Sequence, residues 1–313
     1  NIKARSLFLS DGTLLETSAR NSGNAGNIQL SLSDSVSISS GALLRAISSS
    51  PGNSGNISIT AGGLVSVDGV GTDGEASLVI NGLAPTTAFE GSRQGGDIKI
   101  TARSLSITNQ AQIGTSTFGQ GNAGNIQVDI ADDISIGAGS SLQALSVAKG
   151  NAGNITVTAG DRISLDGTGG IFTAVAQLEQ FRGEGEGGDI KIAARSLSLT
   201  NGAELNTSNI VQGSAGDIDI DVRSLDLDRS SIFAATNLGD GGNIRLRASK
   251  ELRLRNNSRI STSAGLFQLA GNGGNISIDT PLIVANFDGN NDITANAFSG
   301  SGGRVDITAD TIV

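Results

Sequence analysis

The chain has 313 residues, including 45 Gly and 3 Pro but no Cys, Met, Trp, Tyr or His, and its net charge at pH 7 is −9. The missing Cys excludes disulfide bonds and thiolate metal sites, and the missing His removes the commonest general base and metal ligand. The acidic balance argues against nucleic acid as the main partner, and no apolar run is long enough to predict a transmembrane helix.

A short motif, Gly-Asn/Asp-Ile, recurs along the whole chain. Neighbouring copies lie about 31 residues apart on average, a period typical of repeat architectures. The chain starts within a repeat and without Met, so we expect it to be part of a longer product. The copies begin at Gly26, Gly55, Gly96, Gly124, Gly153, Gly188, Gly216, Gly242, Gly274 and, in degenerate form, Gly303.

Within each repeat, apolar and polar residues alternate with a period of two, which predicts short strands with one buried face. In the repeat that begins at Gly96 the predicted inward residues are Ile98, Ile100, Leu105, Ile107, Ala111 and Ile113. The second and third strands are separated by Gly/Asn corners such as "TNQA" (108–111) and "TNGA" (200–203), which tolerate positive φ angles.

Three such strands cannot bury their own apolar face, but successive repeats can bury it by stacking in parallel. The sequence therefore predicts an all-β fold, a right-handed parallel β-helix of about ten turns with three short strands each, as a single domain over residues 1–313. A β-sandwich or barrel explains the alternation but not the recurring unit. The predicted inward column of the third strands is Leu15, Leu44, Ile113, Leu142, Leu205, Ile232 and Ile260. A second predicted column of Thr and Ala lies two residues further along each strand and consists of Thr17, Ala46, Thr115, Ala144, Thr207, Ala234 and Thr262.

Two repeats are longer than the others, which predicts long side loops near 68–95 and 166–187. Long loops on a rigid scaffold often carry function. The segment "IFTAVAQLEQF" (171–181) has the spacing of a short helical stretch with Phe172, Val175, Leu178 and Phe181 on one face. Other loop residues of interest are Phe89, Asp73, Glu75, Glu184 and Glu186.

Aspartates and arginines alternate between two consecutive repeats. Aligning the motif glycines, with one added corner residue in the second repeat, places Asp219 beside Arg245, Asp221 beside Arg247, Asp226 beside Arg253 and Asp228 beside Arg255. Lys191 and Asp279 extend this charge ladder by one turn at either end. We expect it to fix register; binding of an anionic glycan or lipid is the alternative.

The residue patterns that could form catalytic, metal-binding or nucleotide-binding sites are incomplete. The adjacent acids Asp132 and Asp133 fall at a predicted corner, as Asp34 and Asp161 do, so we expect a turn role. "DGNND" (288–292) begins like a calcium loop, but Ser299 stands where the bidentate Glu is expected. The glycine-rich segments lack the Lys and helix of a phosphate loop. We therefore predict no enzyme, and no catalytic, cofactor-binding or metal-binding residue.

The repeated pattern "GNAGNIxI…A[RD]SLSI…GAxLxT" resembles the filamentous haemagglutinin-like exoproteins of two-partner secretion, especially the cyanobacterial forms. The resemblance covers nearly the whole chain. It implies a right-handed β-helix exported through an outer-membrane β-barrel transporter and used as a surface fibre or adhesin. No catalytic residue carries over, because the repeated part of that family has none.

These observations predict a non-catalytic stalk or fibre of a secreted or cell-surface protein, and the resemblance implies a Gram-negative-type bacterium as its source. The expected partners are further copies stacked end to end or neighbouring turns of the same chain, and no cofactor is expected. The first alternative is an adhesin that binds cell-surface glycans through its long loops. The second is a β-helix enzyme that degrades polysaccharides through clustered carboxylates.

Overall fold

A computed structural model describes residues 1–20, 23–49, 52–69, 78–82, 93–137, 139–176, 183–265, 270–285 and 289–313. In these ranges the protein is all-β, and its strands stack in parallel as a β-solenoid of about nine turns. The predicted parallel β-helix is confirmed.

Two of the three faces form one continuous sheet. The strands of the first face are β1 (Ile2–Ala4), β4 (Ile28–Leu32), β7 (Ile57–Ala61), β11 (Ile98–Ala102), β14 (Ile126–Ile130), β17 (Ile155–Ala159), β27 (Ile276–Asp279) and β30 (Val305–Thr308). Those of the second face are β2 (Leu7–Leu9), β5 (Val36–Ser39), β8 (Leu64–Asp68), β12 (Ser104–Thr108), β15 (Ile134–Gly137), β18 (Arg162–Asp166), β28 (Leu282–Ala285) and β31 (Thr311–Ile312). Three long strands pass around the corner between both faces, namely β20 (Ile190–Thr200), β23 (Ile218–Asp228) and β25 (Ile244–Arg255).

The third face is a separate sheet. Its strands are β3 (Leu14–Ala19), β6 (Leu43–Ser48), β9 (Leu78–Gly82), β13 (Gln112–Asn122), β16 (Ser141–Lys149), β19 (Gly169–Ala176), β21 (Ala203–Asn206), β24 (Ser231–Leu238), β26 (Arg259–Ala264) and β29 (Asp292–Ala297). Two short strands lie beside this order, β10 (Arg93–Gln94) against β13 and β22 (Asn209–Gln212) against β19 and β24.

The predicted inward column of the third face is confirmed, and it is longer than predicted. Each member pairs with its equivalent one turn away, as Ile113 does with Leu142. Val79, Ile171 and Ile293 also belong to it: Val79 lies between Leu44 and Ile113, Ile171 between Leu142 and Leu205, and Ile293 beyond Ile260. Nearly all the buried apolar side chains form one cluster that follows the coil, which excludes the alternative of a sandwich or barrel.

The two segments predicted as long loops each contain a strand of the third face. Residues 78–82 lie within 68–95, and residues 169–176 lie within 166–187. The predicted helical stretch is therefore wrong for 171–176, where Ile171, Thr173 and Val175 alternate inward and pair with β16. Residues 177–182, including Leu178 and Phe181, lie outside the described residues.

The corners between the second and third faces have the left-handed backbone that their sequences predict. Asn109 and Gln110 have φ angles of 56° and 66°, and Asn201 and Gly202 have φ angles of 56° and 94°. Asn and Gly adopt this conformation more readily than other residues, so the corner composition follows from its geometry.

The second residue of the repeated motif forms a hydrogen-bonded ladder along the solenoid. Its side-chain carbonyl or carboxylate oxygen accepts a hydrogen bond of 2.7–3.0 Å from the backbone N–H of the equivalent residue in the next turn. The chain of acceptors is unbroken and consists of Asn27, Asn56, Asp97, Asn125, Asn154, Asp189, Asp217, Asn243 and Asn275. The preference for Asn or Asp at this position is therefore a requirement for an acceptor of fixed reach.

The motif glycine is required by a close backbone contact. A Cβ atom built on Gly153 would lie 1.8 Å from the carbonyl oxygen of Gly124, and one built on Gly55 would lie 2.0 Å from that of Gly26. Threonines of the third face reach the same corner, because the hydroxyls of Thr115 and Thr207 donate to the Gly124 and Gly216 carbonyls, each at 2.6 Å. The predicted Thr/Ala column thus includes hydrogen-bonding members that close the turn.

We predict that Gly153→Ala lowers the free energy of unfolding by about 1–3 kcal/mol, because the added methyl group cannot fit against the backbone one turn away. Urea denaturation followed by circular dichroism measures the effect. Gly137→Ala is the control, since a Cβ there meets its nearest neighbour, the Asp166 carbonyl oxygen, at 3.7 Å. Equal stability of the two variants would contradict the close contact.

Candidate functional site

The predicted charge ladder is present in the backbone register. Asp219 pairs with Arg245 and Asp221 with Arg247 on the first face, and the second face pairs Asp226 with Arg253 and Asp228 with Arg255. Lys191 lies beside Asp219 on one side, and Asp279 lies beside Arg247 on the other. The register shifts between Val222 and Ser224, where the predicted extra corner residue is accommodated.

Only some of the side-chain salt bridges predicted for this ladder are formed. Arg245 lies 3.6 Å from the Asp219 carboxylate, as predicted. Arg255 contacts Asp228 at 3.7 Å and also reaches diagonally to Asp226 at 2.6 Å. The predicted pairing of Asp226 with Arg253 is therefore replaced by a diagonal one.

Arg253 pairs instead with a carboxylate that sequence reasoning missed. Glu251 lies at the corner where the register shifts, and its side chain is only 10% exposed. It accepts from Lys250 Nζ and Arg253 Nη2, each at 2.8 Å. The hydrogen bond from Lys250 lowers the pKa of Glu251 below its ordinary value of 4.5, and Arg253 lowers it further, against an opposing effect of burial.

A depression in the outer surface of the first face lies next to the ladder. It encloses about 150 Å³ around Ala193, whose small side chain follows Thr158 and precedes Asp221 in the same outward column. Lys191, Arg247 and Asp219 complete its charged wall, and Thr156 and Thr158 supply hydroxyl groups. This depression could have been found in the sequence, because alignment of the motif glycines places the small Ala193 in a column of larger outward residues.

Three charges of this depression have no charged partner among the residues that the structure describes. Among the described residues, no salt bridge within 4.0 Å involves Lys191, Asp221 or Arg247. Asp219 is already paired with Arg245. The unpaired charges of the wall therefore sum to one positive charge, in a protein of net charge −9.

The aspartates assigned to turns lie at the corner between the first and second faces and pair with arginines of a neighbouring turn. Asp34 lies 3.8 Å from Arg5, and Asp132 lies 3.4 Å from Arg103. Asp133 accepts from the backbone N–H of Arg162 at 3.1 Å. These aspartates therefore lie at corners, as predicted, and join neighbouring turns there.

The acids of the second long segment also have structural partners. Glu184 lies 3.5 Å from Lys149, and Glu186 accepts from the backbone N–H of Ser214 at 2.8 Å. Phe172 is half-buried on the third face. Asp73, Glu75 and Phe89 of the first long segment lie outside the described residues, as Phe181 does.

The calcium-like segment is engaged with its own neighbours. The side-chain amide of Asn290 donates a hydrogen bond to the Asp292 carboxylate at 2.9 Å. The backbone N–H of Asn290 donates to the side-chain oxygen of Asn257 at 2.7 Å. Asp288 lies outside the described residues. Across the described ranges, three or more acidic side chains do not come together in a group that could hold a metal ion.

Comparison with family models, with curated proteins and with solved structures gives no match to this chain. None of the described residues belongs to a helix of the length and apolarity that crossing a membrane requires.

We predict that Glu251 contributes stability above pH 4.5 that is lost as the pH falls through its lowered folded-state value. The sign follows from linkage, because the unfolded chain then binds a proton that the folded chain does not. Glu251→Gln, Lys250→Gln and Arg253→Gln should each flatten the fall of stability below pH 4.5. Urea midpoints measured across the acid range test this, and unchanged slopes in all three variants would contradict it.

Proposed function

We propose that this chain is a non-catalytic stalk or fibre segment of a filamentous protein that is secreted or held at the cell surface. The observation that carries the proposal is the main apolar cluster, which follows the coil from turn to turn between strands stacked in parallel. At ~4.8 Å per turn, ten stacked strands form a rod on the order of 50 Å long. Such a rod holds a distance and presents a regular surface.

The polar contacts support a structural role. The corner acids, including Asp34 and Asp132, bond to arginines one turn away, and the motif Asn and Asp side chains bond to backbone N–H groups. These groups stabilise the coil by joining its turns. They are not assembled around a substrate cleft in the described residues.

Export and location follow from the resemblance to filamentous haemagglutinin-like exoproteins. We propose a cell-surface or extracellular location in a Gram-negative-type bacterium, with an outer-membrane β-barrel transporter as the export partner. The absence of Cys suits a chain that crosses membranes unfolded, since its folding needs no oxidation.

End-to-end stacking of copies, or of further turns of the same chain, is part of this proposal. Each added parallel strand covers apolar side chains of the turn beneath it and pairs its backbone groups, as β30 does for Ile276 and Ile278.

A glycan-binding adhesin is the second candidate, and the depression around Ala193 favours it. Binding through the long segments would rest on residues 70–77, 83–92 and 177–182, which lie outside the described residues. A binding site on the first face needs none of them.

Electron microscopy tests the stalk proposal. We expect the isolated chain to appear as short rods on the order of 50 Å long, and longer fibres to appear at high protein concentration. Antibodies against the chain should label filaments outside the producing cells. Globular particles, or label confined to the cell interior, would refute the proposal.

A further inference from the structure

The depression around Ala193 on the first face has the composition of a binding site. Its floor is the small Ala193 side chain with the strand residues Val157 and Ile192. Lys191, Asp221 and Arg247 stand around it, drawn from β20, β23 and β25. Each of these three charges lacks a salt-bridge partner among the described residues, unlike Arg245 of the same strand as Arg247.

These side chains require two kinds of group in a ligand. The Lys191 ammonium and the Arg247 guanidinium are donors that favour an anionic acceptor. The Asp221 carboxylate accepts hydrogen bonds and repels a second anion close by. Thr156 and Thr158 both donate and accept, as sugar hydroxyls do. A ligand with one carboxylate and several hydroxyl groups satisfies all of them.

We propose that this depression binds a uronate unit of an acidic polysaccharide. The uronate carboxylate lies between Lys191 and Arg247, and the sugar hydroxyls donate to Asp221 and bond to Thr156 and Thr158. The depression opens onto the flat outer surface of the first face, so the rest of a polymer can continue along it. The site gives the rod a ligand and does not depend on the stalk proposal.

Titration calorimetry with tri-galacturonate tests the site, and its fully methyl-esterified form is the neutral control. We expect binding of the acid, at least tenfold weaker binding of the ester, and weakening by added salt, since the contacts are charged. No binding of the acid in the millimolar range would overturn the proposal. So would equal binding of the ester, or equally tight binding of free glutamate, which carries charges but no sugar hydroxyls.

Variants locate the site. Lys191→Gln and Arg247→Gln should each weaken binding at least tenfold, and Ala193→Ile should abolish it by filling the depression. Lys99→Gln is the matched control, because Lys99 stands in the same outward column in an earlier turn, away from the depression. Equal losses in Lys99→Gln and Lys191→Gln would show diffuse charge attraction and refute the site.

Circular dichroism and the unfolding midpoint identify variants that fail to fold. If Ala193→Ile misfolds, Ala193→Thr replaces it, since Thr158 occupies the neighbouring place in the column. The binding assay stays separate from the microscopy, so a rod that binds no uronate retains the stalk role, and uronate binding by a particle that is not a rod retains the site.

Discussion

The contact of glycine on glycine between successive turns is the constraint on which the rest of the solenoid depends. Gly124, Gly153 and Gly188 follow one another so closely that a methyl group on one would overlap the carbonyl of the preceding one. At this distance the motif Asn or Asp reaches the next backbone N–H, as Asn125 reaches Asn154 at 2.9 Å. The same spacing brings each inward Ile onto its equivalent.

Beyond this spacing, the core requires only small and medium-sized apolar side chains. Its buried side chains are mostly Ile, Leu, Val and Ala, and they form one cluster along the coil. β-branched and aliphatic residues fill a narrow interior between flat faces, which leaves little need for large aromatic rings. Variation in repeat length is absorbed at the corners. One residue is added between the first and second faces in the turn after that of Val222, and Val65 and Val79 lie further apart in sequence than the equivalent Val36 and Leu44.

Most of the architecture was predictable because equivalent residues are chemically alike. Leu44, Ile113 and Leu142 share one column because each meets the same neighbours, so alignment of the motif glycines located them. Val79 was missed because additional residues of its repeat displace it from the common spacing. Ile171 keeps that spacing and was missed because its segment was interpreted as a side loop. The helical interpretation of 171–176 failed because apolar residues occupy both faces of this strand: Ile171 and Val175 point inward, and Phe172 lies on the opposite face.

The candidate site was less predictable for a physical reason. Backbone register follows from the repeat, and it correctly placed Asp219 beside Arg245. Long side chains can pair with any oppositely charged group within reach, so Arg255 forms a salt bridge with Asp226 and Arg253 forms one with Glu251. The charges left over beside Ala193 depend on those choices, which a linear pattern does not contain.

The Asn and Asp ladder has a consequence for how such a molecule can evolve. Each acceptor serves only the adjacent turn, so a copied or deleted turn leaves every other bond intact. Genes for this architecture can therefore gain or lose length through unequal recombination between repeats without loss of the fold. Selection can then change the length of the rod one turn at a time.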